Sequence, residues 1–466
     1  MRTRIMTLLI TSAIGLHAAA MVHGDGIGLD EAIELLKKQN LEIKAAEYDV
    51  QSAKESAAQA GGNHWGTLDF IQNISRSDDA GNVFGFKLTG REANFGDFGA
   101  EEFMDNFGRC QQGDMAACGA MYSEPPEDLN NPADRNFFQS KLQYTLPIYV
   151  GGKISGYVHA AENMEKLKRL DKTKLLNEKI YETRKAFYDM RLLEEALTHL
   201  RTIRKNIGIL ENTTRSMIEE GYAKKTDLLE VQAKKSNVER SIRQMEANEE
   251  LLYHYLSFLL NQPVHAIVPP ESDVPMPALD DNAIVENNID VRRAETGLKI
   301  RESMQDVARS DYLPMIGMQA NVQTAATDID NYALDKGSYT VGVQLKWNLF
   351  AGGADAAKYQ KAKIEAMKTR TQIELAKKGI TLQIDKIRTE IKSLDYEIDA
   401  LDHELALARE IYASYEERYR EQLASMSDVI IKQSQELEKV LALLQVKNKR
   451  TERVFALEKL ANGVAQ

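Results

Sequence analysis

The stretch "EEGYAKKTDLLEVQ", residues 219–232, interrupts more than a hundred residues that otherwise read as helix. Gly221 is a poor helix former, and Lys224-Lys225-Thr226-Asp227 has the look of one helix ending and the N-cap of the next. The break decides the fold because it occurs twice. Thr226-Asp227-Leu228-Leu229 falls on Ser427-Asp428-Val429-Ile430 at an offset of 201 residues, and "IYVGG" at 148–152 falls on "LFAGG" at 349–353 at the same offset. No gap is needed between these points. Upstream, "NLEIKAAE" at 40–47 matches "NIDVRRAE" at 288–295 at an offset of 248, so the first copy carries an insertion of 47 residues between His64-Trp65 and Gly151. A repeat of this length fixes the architecture before any motif is considered.

Each copy has the same order: helix, strand, strand, long helix, break, long helix. The first repeat spans 27–265, with an inserted loop at about 76–136; a linker follows at 266–280, and the second repeat spans 281–462. From Asp227 onward, Leu228, Val231, Val238, Ile242, Met245, Leu252, Leu256 and Leu259 follow the 3- and 4-residue steps of a heptad, the pattern of helices packed as coiled coil. Lys153 to Arg215 contains no proline, and about 60 residues of helix make a rod of roughly 90 Å. Lys358 to Arg420 reads likewise. Leu-, Glu- and Lys-rich rods of this kind form a bundle, a tube or a fibre rather than a closed globule.

The segments flanking the rods have a period of two. Tyr339, Val341, Val343, Leu345, Trp347 and Leu349 alternate with Thr340, Gly342, Gln344, Lys346 and Asn348. Phe138, Leu142, Tyr144 and Leu146 alternate with polar neighbours, as do Ile316, Met318, Ala320 and Val322; Leu68, Phe70 and Ile74 form a weaker fourth run. A soluble half-buried sheet shows the same alternation, but strands of a membrane barrel with a wet lumen require it. Two features favour the membrane: the chain reads as exported, and Tyr144, Tyr149, Trp347 and Phe350 cluster at the helix-proximal strand ends, as an interfacial girdle would. Four strands cannot close a barrel, and an open edge is not tolerated in lipid. The chain must oligomerise, as a dimer of eight strands or a trimer of twelve.

Residues 1–20 supply the export signal: Arg2 and Arg4, an apolar run from Ile5 to Leu16, and a small-residue cleavage site at Ala18-Ala19-Ala20. No cysteine follows the site to carry a lipid. A net charge of −11 argues against nucleic acid as a partner, since phosphate binding needs a positive surface. Cys110 and Cys118 are the only cysteines, and in an exported chain they suit a disulfide within a loop. The inserted segment, with phenylalanines at 84, 86, 95, 98, 103 and 107 spaced by Gly and Asp, reads as an extended surface loop.

These residues resemble the TolC family of outer-membrane efflux and secretion channels over nearly the whole chain, from "GLDEAIELLKKQNLEIKAAE" to about Leu460. The specific pieces are the twin junctions "PIYVGGK" and "WNLFAGG" and the twin breaks "TDLL" and "SDVI". The resemblance implies a mixed, mainly α chain, internally duplicated, with four membrane strands per protomer. A homotrimer would then form a 12-stranded barrel in outer-membrane lipid, continued by a long coiled-coil α-barrel in the periplasm. It further implies an exit duct that passively conducts the substrates of a tripartite efflux pump or a type I secretion system. By the same resemblance, a periplasmic adaptor and an inner-membrane transporter would open its iris-like end.

Gate residues carry over one at a time. Tyr419 sits where the family has a tyrosine that bonds the neighbouring hairpin; Asp227 matches its acceptor, with Thr226 alongside. Asp428 matches the first aspartate of the ring that constricts the pore. The second ring position is Ile431 here, and the family's gate arginine falls on Ala424, with Arg418 and Arg420 one turn away to substitute. Asp227 and Asp428 are also plausible N-caps, and Tyr419 could simply pack between helices. Gly151, Gly152, Gly352 and Gly353 read as strand-to-helix hinges.

An enzyme has little support. The eight histidines are scattered and neither H-E-x-x-H nor G-x-S-x-G occurs, so no catalytic residue, cofactor or metal site is expected. The alternative is a periplasmic coiled-coil adaptor or a structural stalk, which should carry one hairpin flanked by compact soluble β-domains rather than two hairpins each preceded by two amphipathic strands.

Overall fold

The computed structural model describes residues 26–270, 273–328 and 336–461; the export signal expected at 1–20 lies outside the described residues. The first repeat runs α1 (Leu29–Gln39), α2 (Leu41–Gly62), β1 (Thr67–Ser77), then α3 (Ala80–Thr89), α4 (Ala100–Gln111), α5 (Met115–Ser123) and α6 (Glu127–Asn130), then β2 (Arg135–Tyr149), α7 (Lys153–Glu219) and α8 (Lys225–Leu260). The second runs α9 (Asp281–Asn287), α10 (Ile289–Arg309), β3 (Met315–Ala326), β4 (Ser338–Lys346), α11 (Ala354–Arg420) and α12 (Met426–Leu460). Helices α7 and α11 each contain 67 residues. No helix among the described residues is long and apolar enough to cross a membrane.

The chain divides into two compact units. One comprises residues up to Glu47, Asp171–Val291 and Lys377 onward. Its core is built by the two helical hairpins, α7–α8 and α11–α12, whose heptad positions Val231, Val238 and Ile242 are buried with Leu200, Ile203, Ile207, Tyr412, Tyr419 and Val429. A second cluster seats Ala32 and Leu36 of α1 on Phe187, Met190, Leu256 and Leu259. The duplication is visible in single bonds. The Asn40 amide donates to the Leu259 carbonyl at 2.9 Å, and the Asn288 amide donates to the Leu460 carbonyl at 3.0 Å. Donors and acceptors obey the two sequence offsets separately. Each asparagine also accepts from the first turn of the next helix, at Ile43 and Val291, which satisfies donors a helix start leaves free.

The other unit, Tyr48–Leu170 and Arg292–Ala376, holds one antiparallel sheet in the order β1-β2-β3-β4. The register places like with like: Leu142 lies opposite Phe70 and Val322, and Tyr144 opposite Leu68 and Ala320. One face is therefore largely apolar, crossed by a single polar row of Gln72, Ser140 and Thr324, and it is open, with Tyr339, Val341, Val343 and Leu345 between 61% and 80% exposed. The other face is polar and bonded across strands, Asn73 to Gln139 at 2.8 Å and Gln139 to Gln323 at 3.0 Å. At the strand bases the Tyr144 hydroxyl donates to the Trp65 carbonyl at 2.7 Å, and the Trp347 indole N–H donates to the Tyr312 carbonyl at 3.1 Å. Strand β4 stops at Lys346, so Trp347 and Leu349 lie beyond it.

The junction glycines share one backbone conformation. Gly151, Gly152, Gly352 and Gly353 all have positive φ, between 62° and 86°, the left-handed region that costs other L-residues energy. A Cβ on Gly151 would lie 2.8 Å from the Ser310 carbonyl oxygen. These glycines shape the turn from strand into helix, and the same left-handed conformation at both junctions, 201 residues apart, accounts for the residue type.

The insertion corrects the sequence expectation. Residues 76–136 do not form an extended loop; they fold into α3 to α6, stapled by a Cys110–Cys118 disulfide with Cα atoms 4.8 Å apart. The frequent glycines masked this, but helix starts were written in Asp79, which accepts from the Asn82 N–H, and Asp114, which accepts from Ala116 and Ala117.

Candidate gate at the paired hairpin tips

Both hairpins turn by the same device. Helix α7 ends with Tyr222 N–H donating to Met217 C=O and Gly221 N–H to Ile218 C=O; α11 ends with Leu423 N–H to Arg418 C=O and Gln422 N–H to Tyr419 C=O. These are paired Schellman bonds. The left-handed residue is Gly221 in the first hairpin (φ 84°) and Gln422, 201 residues later, in the second (φ 63°). Gly221 is suited to the position, whereas Gln422 holds it against its own preference.

The acids at the tips sit one turn deeper than an N-cap. Helix α8 starts at Lys225, so Asp227 is its third residue and accepts from the Lys224 backbone N–H at 3.1 Å. Helix α12 starts at Met426, and Asp428 accepts from the Ser425 N–H at 3.1 Å and the Ser425 hydroxyl at 2.6 Å, while its own N–H donates to Ser425 Oγ at 3.2 Å. This is a capping box: the residue that caps is Ser425, and Asp428 closes the motif. The bonds from Ser425 hold the Asp428 carboxyl below the usual carboxylate range. Position three also places both acids where a helix N-terminus favours negative charge.

Tyr419 is 4% exposed, within the cluster formed with Met426, Val429 and Leu210. Its hydroxyl faces the other hairpin, but the partner is Thr214 Oγ1 at 3.5 Å rather than Asp227. Thr214 is itself fully buried and donates to the Leu210 carbonyl at 2.8 Å, so its oxygen is free to accept. Burial pushes the Tyr419 hydroxyl upward in pKa; Thr214 opposes this and the nearby Asp227 charge adds to it. Thr226 is exposed, with its hydroxyl 3.4 Å from Asp227 Oδ1. Arg420 pairs with Glu416 on its own helix at 2.6 Å, and the Arg418 guanidinium lies 5.2 Å over the Tyr415 ring. Among the described residues, neither arginine is bonded to Asp227 or Thr226. Ile431 is exposed.

Two cross-hairpin bonds escaped the sequence. Ser427 Oγ donates to Glu230 Oε2 at 2.7 Å, and Lys234 Nζ donates to Ser434 Oγ at 2.6 Å. Burial lowers the Lys234 pKa. With Tyr419–Thr214 they make three polar ties near the hairpin tips, each from residues that look ordinary on a helix surface; farther up, Arg184–Glu458, Lys185–Glu452 and Lys459–Glu178 also join α7 to α12. The only signal was proximity to the repeated break.

Residues 282–463 match the family model of the outer membrane efflux protein. No individually characterised protein matches the sequence. In fold, the chain is similar to MtrE of Neisseria gonorrhoeae, an outer-membrane channel in its open state, with 15% identity over 93% of this chain and 88% of that one and a TM-score of 0.73. It is similar to VceC, an outer membrane protein of Vibrio cholerae, with 14% identity, 93% and 96% coverage and a TM-score of 0.74. It is also similar to CusC, studied for transmembrane channel formation, with 13% identity, 93% and 91% coverage and a TM-score of 0.76. The second repeat thus matches the family model of the outer membrane efflux protein, and the chain as a whole shares the fold of outer-membrane channels.

Proposed function

We propose that this protein is the outer-membrane exit duct of a tripartite efflux pump or type I secretion system, conducting passively while an inner-membrane transporter and a periplasmic adaptor supply energy and opening. The observation that carries the proposal is the sheet. It has one open apolar face, one hydrogen-bonded polar face and two unpaired edges, β1 and β4. A sheet of this kind is stable in lipid only when its edges meet those of other copies and its polar face lines water. Three copies give twelve strands, the assembly of the TolC-like channels it resembles. The paired hairpin tips are the gate. Tyr419–Thr214, Ser427–Glu230 and Lys234–Ser434 tie one hairpin to the other, and Asp428 supplies carboxylates to the constriction. Relative movement of the hairpins must break these ties, and an adaptor that grips the tips would do so.

The test of the barrel is its behaviour on extraction and on gels. A trimeric outer-membrane barrel leaves membranes only with detergent and migrates faster unheated than heated. Release by a salt wash, with no heat-dependent shift, would support a periplasmic adaptor or stalk instead.

A further inference from the structure

We infer that the helical insertion between β1 and β2 is a lid seated on the water-facing side of the sheet, which narrows the outer exit of the duct and makes it selective for cations. The inference rests on the duct reading above. Strand parity locates the lid. Asn73, Gln139 and Gln323 form the polar ladder, and Phe137, Arg135 and Ala325 lie on that same face, since Phe137 and Arg135 are two and four residues from Gln139 along β2 and Ala325 is paired with Gln139.

The insertion is fastened to these residues. Phe86 of α3 stacks on Phe137 with ring centroids 4.2 Å apart and planes 11° from parallel. Glu92 receives Arg135, the Thr327 hydroxyl at 3.0 Å and Lys336 at 2.6 Å, so one carboxylate ties the insertion to both hairpins of the sheet. Under it, Phe137 is 8% and Ala325 1% exposed, whereas Gln139, Lys141 and Gln143 farther along the same face of β2 are only half-buried. An apolar contact on the wet face of a barrel strand makes sense only if something sits there permanently.

The lid is also the most acidic part of the chain. Residues 78–134 contain twelve Asp or Glu and three Lys or Arg. Lys87 is paired with Asp97 and Arg109 with Asp114, and from outside the insertion Arg76 pairs with Asp134 and Arg135 and Lys336 with Glu92; acids still outnumber the bases of the insertion and these three partners together. Three lids at one mouth concentrate this charge where a low-dielectric wall focuses it, raising local cation concentration and excluding anions.

Planar-bilayer recordings on the full-length channel test this. Replacing residues 78–134 by a short turn should raise single-channel conductance about twofold or more and move the reversal potential in a salt gradient toward zero. A charge-only variant, Glu101→Gln with Asp105→Asn and Asp128→Asn, leaves the packing intact and should shift the reversal potential toward zero at nearly unchanged conductance. The pair Glu92→Gln and Phe86→Ala, which unfastens the lid without removing it, should increase conductance. Conductance and reversal potential equal to wild type in all three variants would overturn the lid and leave the insertion as surface decoration. A wild-type protein that conducts nothing would overturn the duct itself, so the two failures are separable.

Discussion

The tie between hairpins makes an asymmetric prediction. Removing the Tyr419 hydroxyl with Tyr419→Phe deletes a bond that is long, 3.5 Å, against about 2.7 Å for a good O–H···O pair. Nothing buried is then left without a partner, because the Thr214 hydroxyl already donates to Leu210. The cost should be under about 0.5 kcal/mol. Thr214→Val keeps the shape but strands the tyrosine hydroxyl in a site that is 4% exposed, which costs about 1–3 kcal/mol. At 1.4 kcal/mol per factor of ten, Thr214→Val should open the hairpin tips roughly 5- to 150-fold more often and Tyr419→Phe less than about threefold. Native-state hydrogen exchange of the amides around 214–223 and 415–424 reads this directly. A large effect of Tyr419→Phe with Thr214→Val silent would refute the reasoning and return the tyrosine to Asp227. Channel conductance should follow the same order, because the tie has to break for the tips to part.

Three further outcomes are expected. Gly221→Ala should destabilise the first hairpin by about 1 kcal/mol and Gln422→Gly should stabilise the second by about 0.5–1 kcal/mol, since both positions require the left-handed region; opposite shifts in exchange rates at the two turns check it. Asp428 has a folded pKa below its free value of 3.8, so its contribution is present above about pH 4 and is lost as pH falls through the folded value. Protection at 425–430, taken relative to the intrinsic exchange rate at each pH, should therefore fall in acid, and Asp428→Asn should abolish that dependence. Reducing the Cys110–Cys118 bond, which closes a loop of eight residues' separation, should loosen the insertion by about 2–3 kcal/mol. Intact mass with and without reductant establishes the bond, and protease nicking confined to 78–134 reports the loosening.

What the sequence made legible was whatever repeats or alternates. The offset of 201 between Thr226 and Ser427 located both tips, and the alternation from Tyr339 to Leu345 marked a strand and its apolar face. Features set by a distant partner were not legible. Tyr419 meets Thr214 across 205 residues, and which turn of α7 faces which turn of α11 depends on the register of packed helices. Asp227 and Asp428 were misplaced by one turn because a capping box can be read from either of its ends. The insertion was misread because glycine every few residues imitates a loop, whereas its helices are held by caps and a disulfide. Gln422 carries no mark of its left-handed conformation except that Gly221 stands 201 residues before it.

Single-channel recording of the detergent-extracted, full-length protein in planar bilayers tests the central claim most directly. The account predicts discrete, stable conductance steps that favour cations and increase when the tips are untied by Thr214→Val. A protein that inserts as a trimer yet passes no current, with or without that substitution, would contradict it.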